Sequence, residues 1–275
     1  MCSLSERGSY AGDMTPSTQQ THVVERAARL LRVLSACEPA CASTTELASA
    51  ANLARPTTHR LLTSLAAEGL VDRDTKTGLW SLGPELYLLG AAAANRYDIT
   101  HHARDIVDQL ARATGESAFL SAHRGDETVC IMSREGSFPL RSHVLYEGKR
   151  FPLGVASAGL VILSHLPPRE IDEYFDRADL ASDWGEVHSE RLLRERIATT
   201  LTNGYAVNPA LVVEGSWGVG AAVFDRAGRP AWALSLTGVE TRFREPRCAQ
   251  LGTLLLEHAH RLSVRLKAVG HAGRR

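Results

Sequence analysis

The amino-acid sequence predicts an α+β protein of two domains, and three observations support this prediction. The chain has 275 residues, whereas single domains usually contain about 100–200. Between residues 21 and 83, three segments with helical apolar spacing precede two short strands, which is the arrangement of a winged helix-turn-helix. From about residue 98 onward, helical and strand patterns mix without a repeat, which favours an α+β domain.

The charge balance excludes a protein that coats nucleic acid through its bulk charge. Lys and Arg number 31, and Asp and Glu also number 31, so the formal net charge is zero. Hydrophobic residues make up 44% and charged residues 23% of the chain, which is ordinary globular usage rather than that of a disordered chain. Any nucleic-acid binding must therefore depend on a local arrangement of side chains.

Cysteine usage and hydropathy predict a cytoplasmic protein without a membrane partner. The five cysteines form no CxxC pair and no His/Cys cluster at zinc spacing, which excludes a disulfide scaffold and a zinc site. The first residues remain polar, without the apolar region of a signal peptide. The most apolar stretch, Leu86 to Ala94, is far shorter than the roughly 20 residues of a membrane helix.

The first domain is predicted over residues 21–83, after a polar tail at 1–20. Apolar residues spaced three and four apart from Val23 to Leu34 indicate a helix that ends before Pro39. The segment 43–46 (STTE) has the capping-box pattern that starts a second helix. Pro56 suits the first turn of a third helix, where its missing N–H costs nothing, and Gly69 suits its end.

A β-hairpin and a linker helix are predicted next. Val71 to Leu82 contains two short apolar runs around the polar turn 74–78 (DTKTG). Residues 84–97 are rich in Leu and Ala and predict a connecting helix.

The second domain is predicted over residues 98–267, followed by a tail at 268–275. Apolar periodicity predicts helices at 99–113, 158–166, 190–201 and 251–266. Strands are predicted at 118–122, 129–132, 141–145, 219–224 and 231–237.

Each domain contains several short sequence motifs. The first domain contains 53–62 (LARPTTHRLL), 68–71 (EGLV) and 80–83 (WSLG). The second contains 151–153 (FPL), 156–159 (ASAG), 203–206 (NGYA) and 221–225 (AAVFD). Together these motifs resemble the signatures of IclR-type transcription regulators, and the resemblance covers about residues 21–267.

The resemblance implies a winged helix-turn-helix joined by a linker helix to an α+β (GAF-like) effector-binding domain. It also implies a homo-oligomer, dimer or tetramer, that binds double-stranded operator DNA. A small molecule, often an organic acid or an aromatic metabolite, is expected to adjust that binding. The apolar helices at 84–94 and 251–266 are compatible with such assembly.

The third helix and the hairpin carry the candidate DNA contacts. Residues 47–67 contain no carboxylate, and a helix in the major groove needs short polar and basic side chains near its N-terminal end. The wing residues are expected to reach the backbone beside the minor groove. The candidates are Arg55, Thr57, Thr58, His59, Arg60, Arg73, Lys76 and Thr77.

Structural interpretations of the same residues remain open. Arg55 and Arg60 are also compatible with solvated charges on an ordinary helical domain. The two threonines are compatible with completing a helix cap, and His59 with packing. Trp80 is predicted to lie in the core, where the wing returns to the body of the domain.

The resemblance also implies an effector pocket, formed by backbone N–H groups after the FPL segment and polar side chains on facing strands. Such groups hold a carboxylate without a full counter-charge. Carried over by position, and with the apolar loop tryptophan added, the candidates are Ser157, Ala158, Asn208, Trp217, Gly218, Ser235 and Thr237.

This sequence departs from the family pattern where relatives carry acidic residues. The segment 209–211 (PAL) stands there, and Val212, Val213 and Trp217 make the loop more apolar. We therefore expect a ligand larger or more hydrophobic than a small keto acid. Each position also has a structural interpretation: a helix cap for Ser157, ordinary strand positions for Ser235 and Thr237, and core positions for Trp217 and Cys130.

Two alternative functions are an enzyme and a DNA-binding protein that has no ligand. An enzyme is disfavoured because 215–218 (GSWG) misses the spacing of a nucleophile elbow, and no phosphate-binding GxxxxGK[ST] motif is present. The pairs His101–His102 and His258–His260 lack further ligands at metal spacing. We predict no catalytic residue, no metal ligand and no cofactor. A DNA-binding protein whose second domain only oligomerises is the remaining alternative.

Overall fold

The computed structural model describes residues 18–94 and 99–272, with side chains at 22–92 and 99–268. The chain divides into two compact units between Tyr97 and Asp98. The predicted tail at 1–20 lies outside the described residues except for 18–20, which belong to the first helix. None of the described helices is long and apolar enough to cross a membrane.

The first unit contains four helices and one antiparallel strand pair. In chain order its elements are α1 (Thr18–Cys37), α2 (Thr44–Ala50), α3 (Arg55–Ala67), β1 (Val71–Arg73), β2 (Trp80–Leu82) and α4 (Pro84–Ala94). The predicted order of three helices, a hairpin and a fourth helix is confirmed. Residues 95–97 of the predicted linker helix lie outside the described residues.

Local signals in the sequence account for the helix ends in this unit. The Ser43 hydroxyl accepts a hydrogen bond from the Glu46 N–H (3.3 Å), and the Glu46 carboxylate accepts one from the Ser43 N–H (2.8 Å). This reciprocal capping box starts α2. Pro56 lies in the first turn of α3, and Gly69 adopts φ +68° where the chain leaves it.

The wing is attached to the core by Trp80. Strands β1 and β2 pair with Val71 opposite Leu82 and Arg73 opposite Trp80. The Trp80 ring is 2% exposed, and its indole N–H donates to the Thr44 hydroxyl at 2.9 Å. The predicted core position of Trp80 is therefore confirmed, and its hydrogen bond fixes the hairpin against the start of α2.

The second unit is a six-stranded antiparallel sheet with helices on both faces. Its helices are α5 (Ile99–Thr114), α6 (Ser157–Ser164), α7 (Pro168–Arg177), α8 (Leu180–Trp184), α9 (Glu190–Asn203) and α10 (Arg247–Ala272). Its strands are β3 (Ser117–Arg124), β4 (Glu127–Arg134), β5 (Arg150–Pro152), β6 (Ala206–Pro209), β7 (Ser216–Phe224) and β8 (Pro230–Val239). The strand order is β5-β4-β3-β8-β7-β6.

Alternation along the strands divides the sheet into two packed faces. Leu120 of β3 and Leu234 and Leu236 of β8 turn toward α5 and α10 and form one core. On the opposite face, α6, α7 and α9 form a second core that includes Ala206 and Ala233. The sheet therefore contributes side chains to two separate cores.

Three sequence predictions for this unit differ from the structure. The predicted strand at 141–145 is wrong, since these residues have no regular secondary structure and β5 takes the place beside β4 instead. Strands β5 and β6 and helices α7 and α8 were not predicted. Helix α10 continues to Ala272, so the predicted tail at 268–275 is helical as far as the structure describes it.

A buried carboxylate joins three segments at one end of the second unit. The Glu116 side chain is 2% exposed and accepts hydrogen bonds from Arg242 (2.6 Å) and Arg247 (3.1 Å). Both arginines also donate to the Thr114 carbonyl. The two guanidinium groups compensate the buried negative charge, and removing either partner leaves uncompensated charge in a poorly hydrated site.

We expect Glu116→Gln to lower the free energy of unfolding by about 3 kcal/mol, because two half-buried arginines lose their shared counter-charge. Urea unfolding followed by tryptophan fluorescence measures this difference. The control is Glu195→Gln, which breaks an exposed ion pair with Arg191 and should change stability by less than about 0.5 kcal/mol. Equal effects of the two substitutions would show that the buried cluster does not stabilise the fold.

Candidate functional site

The exposed face of α3 presents the predicted basic side chains. Arg55, His59 and Arg60 are exposed and Thr57 is half-buried. The residue preceding the helix is Ala54, which offers no side-chain cap, so backbone N–H groups at the start of α3 remain open to an anion such as a phosphate. The buried face of the same helix carries Leu62 and Leu65.

Thr58 is a correction to the sequence prediction. It is 0% exposed, and its hydroxyl donates to the Ala54 carbonyl at 3.2 Å. A side chain that faces the core and is satisfied within its own helix is not placed to contact DNA. Thr58 therefore has a structural position, but it does not complete a helix cap, since no side chain caps the start of α3.

The wing holds its candidate residues in a braced turn. The backbone N–H groups of Lys76 and Thr77 donate to the Asp74 carboxylate at 2.7 and 2.8 Å. These bonds keep the pKa of Asp74 below its usual value. The side chains of Lys76 and Thr77 remain exposed, while their backbone N–H groups are bonded within the turn.

The indole of Trp80 contacts both candidate segments of this unit. The Arg73 guanidinium lies 5.3 Å from the Trp80 ring centroid and donates weakly to the Gly78 carbonyl. The His59 ring meets the same indole edge-on at 6.3 Å. His59 therefore has a packing contact while remaining exposed, so both interpretations of this residue stay open.

A cavity on one face of the six-stranded sheet brings together all seven candidate effector residues. Its empty volume is about 460 Å³, including space open to solvent. Strand pairing explains the grouping, since Asn208 lies opposite Gly218, Gly218 opposite Thr237, and Gly220 opposite Ser235. Directly opposite residues on antiparallel strands share a face of the sheet.

The start of α6 closes one side of the cavity. Ser157 is the first residue of the helix and Ala156 precedes it without a side-chain cap. A Cβ at Gly218 would lie 3.1 Å from the Ser157 hydroxyl, and one at Gly220 would lie 2.7 Å from the Ser157 carbonyl oxygen. The helix start therefore rests on β7 because glycine occupies position 220, where a side chain would meet the α6 backbone.

Two hydroxyl groups in the cavity have no partner within the described residues. The Ser235 and Thr237 oxygens are buried and form no hydrogen bond there. Burying a hydroxyl without a partner costs free energy, so these two groups are open to a ligand atom. Both residues lie on β8, two apart, as predicted.

Asn208 differs from its candidate role as a ligand contact. Its amide donates to the Val155 carbonyl at 2.7 Å and accepts from the Leu211 N–H at 3.1 Å. The buried His188 lies 3.4 Å from the same Val155 carbonyl, and burial lowers the pKa of its imidazole. Asn208 therefore positions the segment before α6 and the loop after β6.

The other walls of the cavity combine apolar side chains with the hydroxyls of Ser121, Thr128 and Ser216, and most of these residues were not predicted. The fifteen lining residues include no charged side chain. The apolar lining residues are Trp217 and Val212, which the sequence analysis named, and three others that it did not name: Val144, Leu145 and Phe151. Phe151 belongs to the FPL motif, which could have indicated that it lines the cavity. The segment 141–145 contains no motif that indicates a cavity wall, and it was predicted to be a strand.

Chemistry beyond binding has little support in the described part of the chain. No group of three or more His, Cys, Asp or Glu is placed to hold a metal ion there. Burial raises the pKa of the Cys130 thiol to about 12, so this cysteine stays protonated and unreactive at neutral pH. Its predicted core position is confirmed, since it is 1% exposed.

Sequence comparisons match both units to one family. Residues 23–75 match the IclR helix-turn-helix domain, and residues 91–264 match the bacterial transcriptional regulator IclR C-terminal domain. The HTH-type transcriptional regulator KipR of Bacillus subtilis (strain 168) is 29% identical over 219 residues, which are 79% of this chain and 87% of that protein.

Solved structures share the fold. The chain resembles an IclR transcriptional regulator from Alicyclobacillus acidocaldarius with a TM-score of 0.73 and 26% identity, over 89% of this chain and 98% of the other. An IclR homolog from Microbacterium hydrocarbonoxydans, complexed with 4-hydroxybenzoate, gives a TM-score of 0.72 at 20% identity, over 90% of this chain and 99% of the other.

The two glycines of β7 should respond differently to alanine. Gly220→Ala places a Cβ against the α6 backbone, which must shift, so we expect a loss of about 1–3 kcal/mol in unfolding free energy. Gly218→Ala meets the rotatable Ser157 hydroxyl instead, and should cost less than about 1 kcal/mol. Urea unfolding of both variants measures the difference; the reverse order would contradict the contact between α6 and β7.

Proposed function

Because the chain belongs to the IclR family of bacterial transcriptional regulators, we propose that it recognises a specific operator and that an aromatic or other largely apolar acid adjusts its affinity for that DNA. The protein has a helix-turn-helix domain and an effector-binding domain. We assign DNA binding to residues 21–83, the linker helix to 84–97 and effector binding to 98–267. The observation that carries the effector assignment is the pair of unpartnered hydroxyls in an uncharged cavity.

The charge distribution on α3 and the wing supports operator binding. Arg55 and Arg60 are exposed on a helix that lies within an acid-free stretch, where no carboxylate opposes a phosphate. On the wing, Arg73 and Lys76 alternate with the exposed carboxylates of Asp72 and Asp74, so its proposed contacts depend on individual side chains and not on net charge. The proposed DNA contacts are Arg55, Thr57, His59, Arg60, Arg73, Lys76 and Thr77.

The polar groups of the cavity support an anionic group on the ligand. A helix start without a side-chain cap supplies N–H donors, and the Ser235 and Thr237 hydroxyls add two more donors near Gly218. Backbone N–H groups and hydroxyls stabilise a carboxylate without a basic residue. The apolar walls then favour a ring or chain over a glyoxylate-sized acid.

The rival function, in which the second domain only oligomerises, is disfavoured by the same hydroxyls. A domain that serves only to assemble gains nothing from an open cavity with unpaired polar groups. Assembly is still part of the proposal. Tyr87, Leu88 and Leu89 of α4 are 78%, 58% and 53% exposed, and a homodimer or homotetramer would cover such an apolar surface.

We expect Arg60→Ala to weaken binding to the DNA immediately upstream of the protein's own gene by about ten-fold, because one phosphate or base contact is lost. The slope of log affinity against log salt should also fall by about one unit if the contact is to a phosphate. Fluorescence anisotropy over a salt series measures both quantities.

The matched control is Arg169→Ala, which removes an exposed arginine from α7 and should leave the salt slope unchanged. Acid binding should be the same in both variants and in the parent. Equal affinity of the Arg60→Ala variant and the parent across the salt series would refute the assignment of α3.

The double variant Ser235→Ala/Thr237→Val should bind 4-hydroxybenzoate at least ten-fold more weakly than the parent, because two donors to the carboxylate are lost. Its unfolding free energy should be unchanged or higher, since the hydroxyls have no partner in the fold. Calorimetry and urea unfolding measure the two effects. The control is Thr199→Val on α9, an exposed position. Tight binding of glyoxylate with no binding of aromatic acids would overturn the proposed ligand class.

A further inference from the structure

A second cavity adjoins the first on the same face of the sheet. Its empty volume is about 540 Å³, including space open to solvent, and Leu145 lines both cavities. Among its other lining residues are Ser117, Phe119, Arg134 and Arg141. The two cavities therefore share a wall and lie in one unit of the protein.

The strand register makes the floors of the two cavities continuous. Ser117 lies opposite Thr237, and Phe119 lies opposite Ser235. Ser117 and Phe119 line the second cavity, whereas Thr237 and Ser235 line the first. Directly opposite side chains on antiparallel strands are about 5 Å apart at Cβ, so only one strand spacing separates the two floors.

One irregular segment lies across both cavities. Ser142 lines the second cavity and its hydroxyl lies 2.6 Å from the hydroxyl of Ser216, which lines the first. Val144 and Leu145, two and three residues further, contribute apolar wall to the first cavity. One segment therefore borders both cavities, and its hydroxyl and aliphatic side chains line the place where they meet.

The charges of the two cavities differ. The first has no charged lining residue, whereas the second has two guanidinium groups and the exposed carboxylate of Glu135. Arg141 uses Nη1 to donate to Glu135 at 2.5 Å, and Arg134 donates to Asp108 and to the Ser133 carbonyl. A guanidinium has five N–H donors in a planar fork, so each arginine retains donors for a second anion.

We propose that the two cavities bind one elongated ligand: an acid whose apolar body fills the first cavity and whose second, carboxylate-bearing arm lies against Arg141 and Arg134. This proposal rests on the proposed function, because it extends the effector cavity toward a second anionic group. From Gly218 on β7 to Ser117 on β3 the path crosses two strand spacings, which is roughly 10 Å. The two acidic ends of the ligand are separated by about that distance.

The test compares two benzoates that differ only at the end of one chain. 4-(3-Carboxypropyl)benzoate carries the second carboxylate, and 4-butylbenzoate ends the same chain in a methyl group. Calorimetry on the full chain should show the diacid binding at least ten-fold more tightly than 4-butylbenzoate. Arg141→Gln should remove this preference without changing the affinity for 4-butylbenzoate, since only the arm contacts Arg141.

The control is Arg124→Gln, which removes the same charge from the exposed end of β3 and should leave the preference intact. If the parent binds the two benzoates with equal affinity, the proposal of one ligand across both cavities is wrong, whereas the proposal of an acid effector is unaffected. Loss of the preference in the Arg124→Gln variant also overturns the ligand across both cavities, because the effect would then come from general charge. If 4-hydroxybenzoate and both of the substituted benzoates fail to bind, the proposed acid effector is wrong, and the elongated ligand is refuted with it.

Discussion

The effector unit depends on the close approach between the start of α6 and strand β7. Gly218 and Gly220 have no side chain where the Ser157 backbone and hydroxyl lie, so a helix N-terminus comes to rest directly on a sheet. That contact places uncapped N–H groups beside the hydroxyls of β8. The cavity lies beside this contact, and its polarity on that side follows from the orientation of the helix.

A cavity with this lining distinguishes ligands by shape more than by charge. The apolar walls recover little free energy from a small hydrated acid, whereas a ring or an alkyl chain displaces water from Val144, Phe151 and Trp217. The buried hydroxyls act in the opposite direction, since a ligand without an acceptor leaves them unpaired. Apolar bulk and a correctly placed acceptor are therefore both required, and each alone gives weak binding.

The sequence predicted the first unit better than the second because its signals are local. A capping box, a proline in a first turn and a glycine after α3 each act within a few residues, and all three were confirmed. The position of Thr58 was predicted wrongly because consecutive helix residues lie on different faces, and the motif does not indicate which of them faces the core. In the second unit, β6 and β5 are three or four residues long, too short for alternation to be visible. The seven cavity residues were predicted from the family resemblance, whereas the segment at 141–145 lines the cavity through tertiary contacts that no local pattern encodes.

Regulation places one further requirement on this architecture. An effector changes operator affinity only if it binds the DNA-competent and the incompetent arrangements of the protein with different free energies. The walls built by strands β7 and β8 belong to a continuous hydrogen-bonded sheet, so they are poor candidates for such a difference. The irregular segment that carries Ser142, Val144 and Leu145 lies outside this sheet, and its Ser142 hydroxyl is 2.6 Å from the Ser216 hydroxyl of β7. Val144 and Leu145 line the cavity, so a ligand there would pack against both. We therefore expect the differential affinity that regulation requires to originate in this segment.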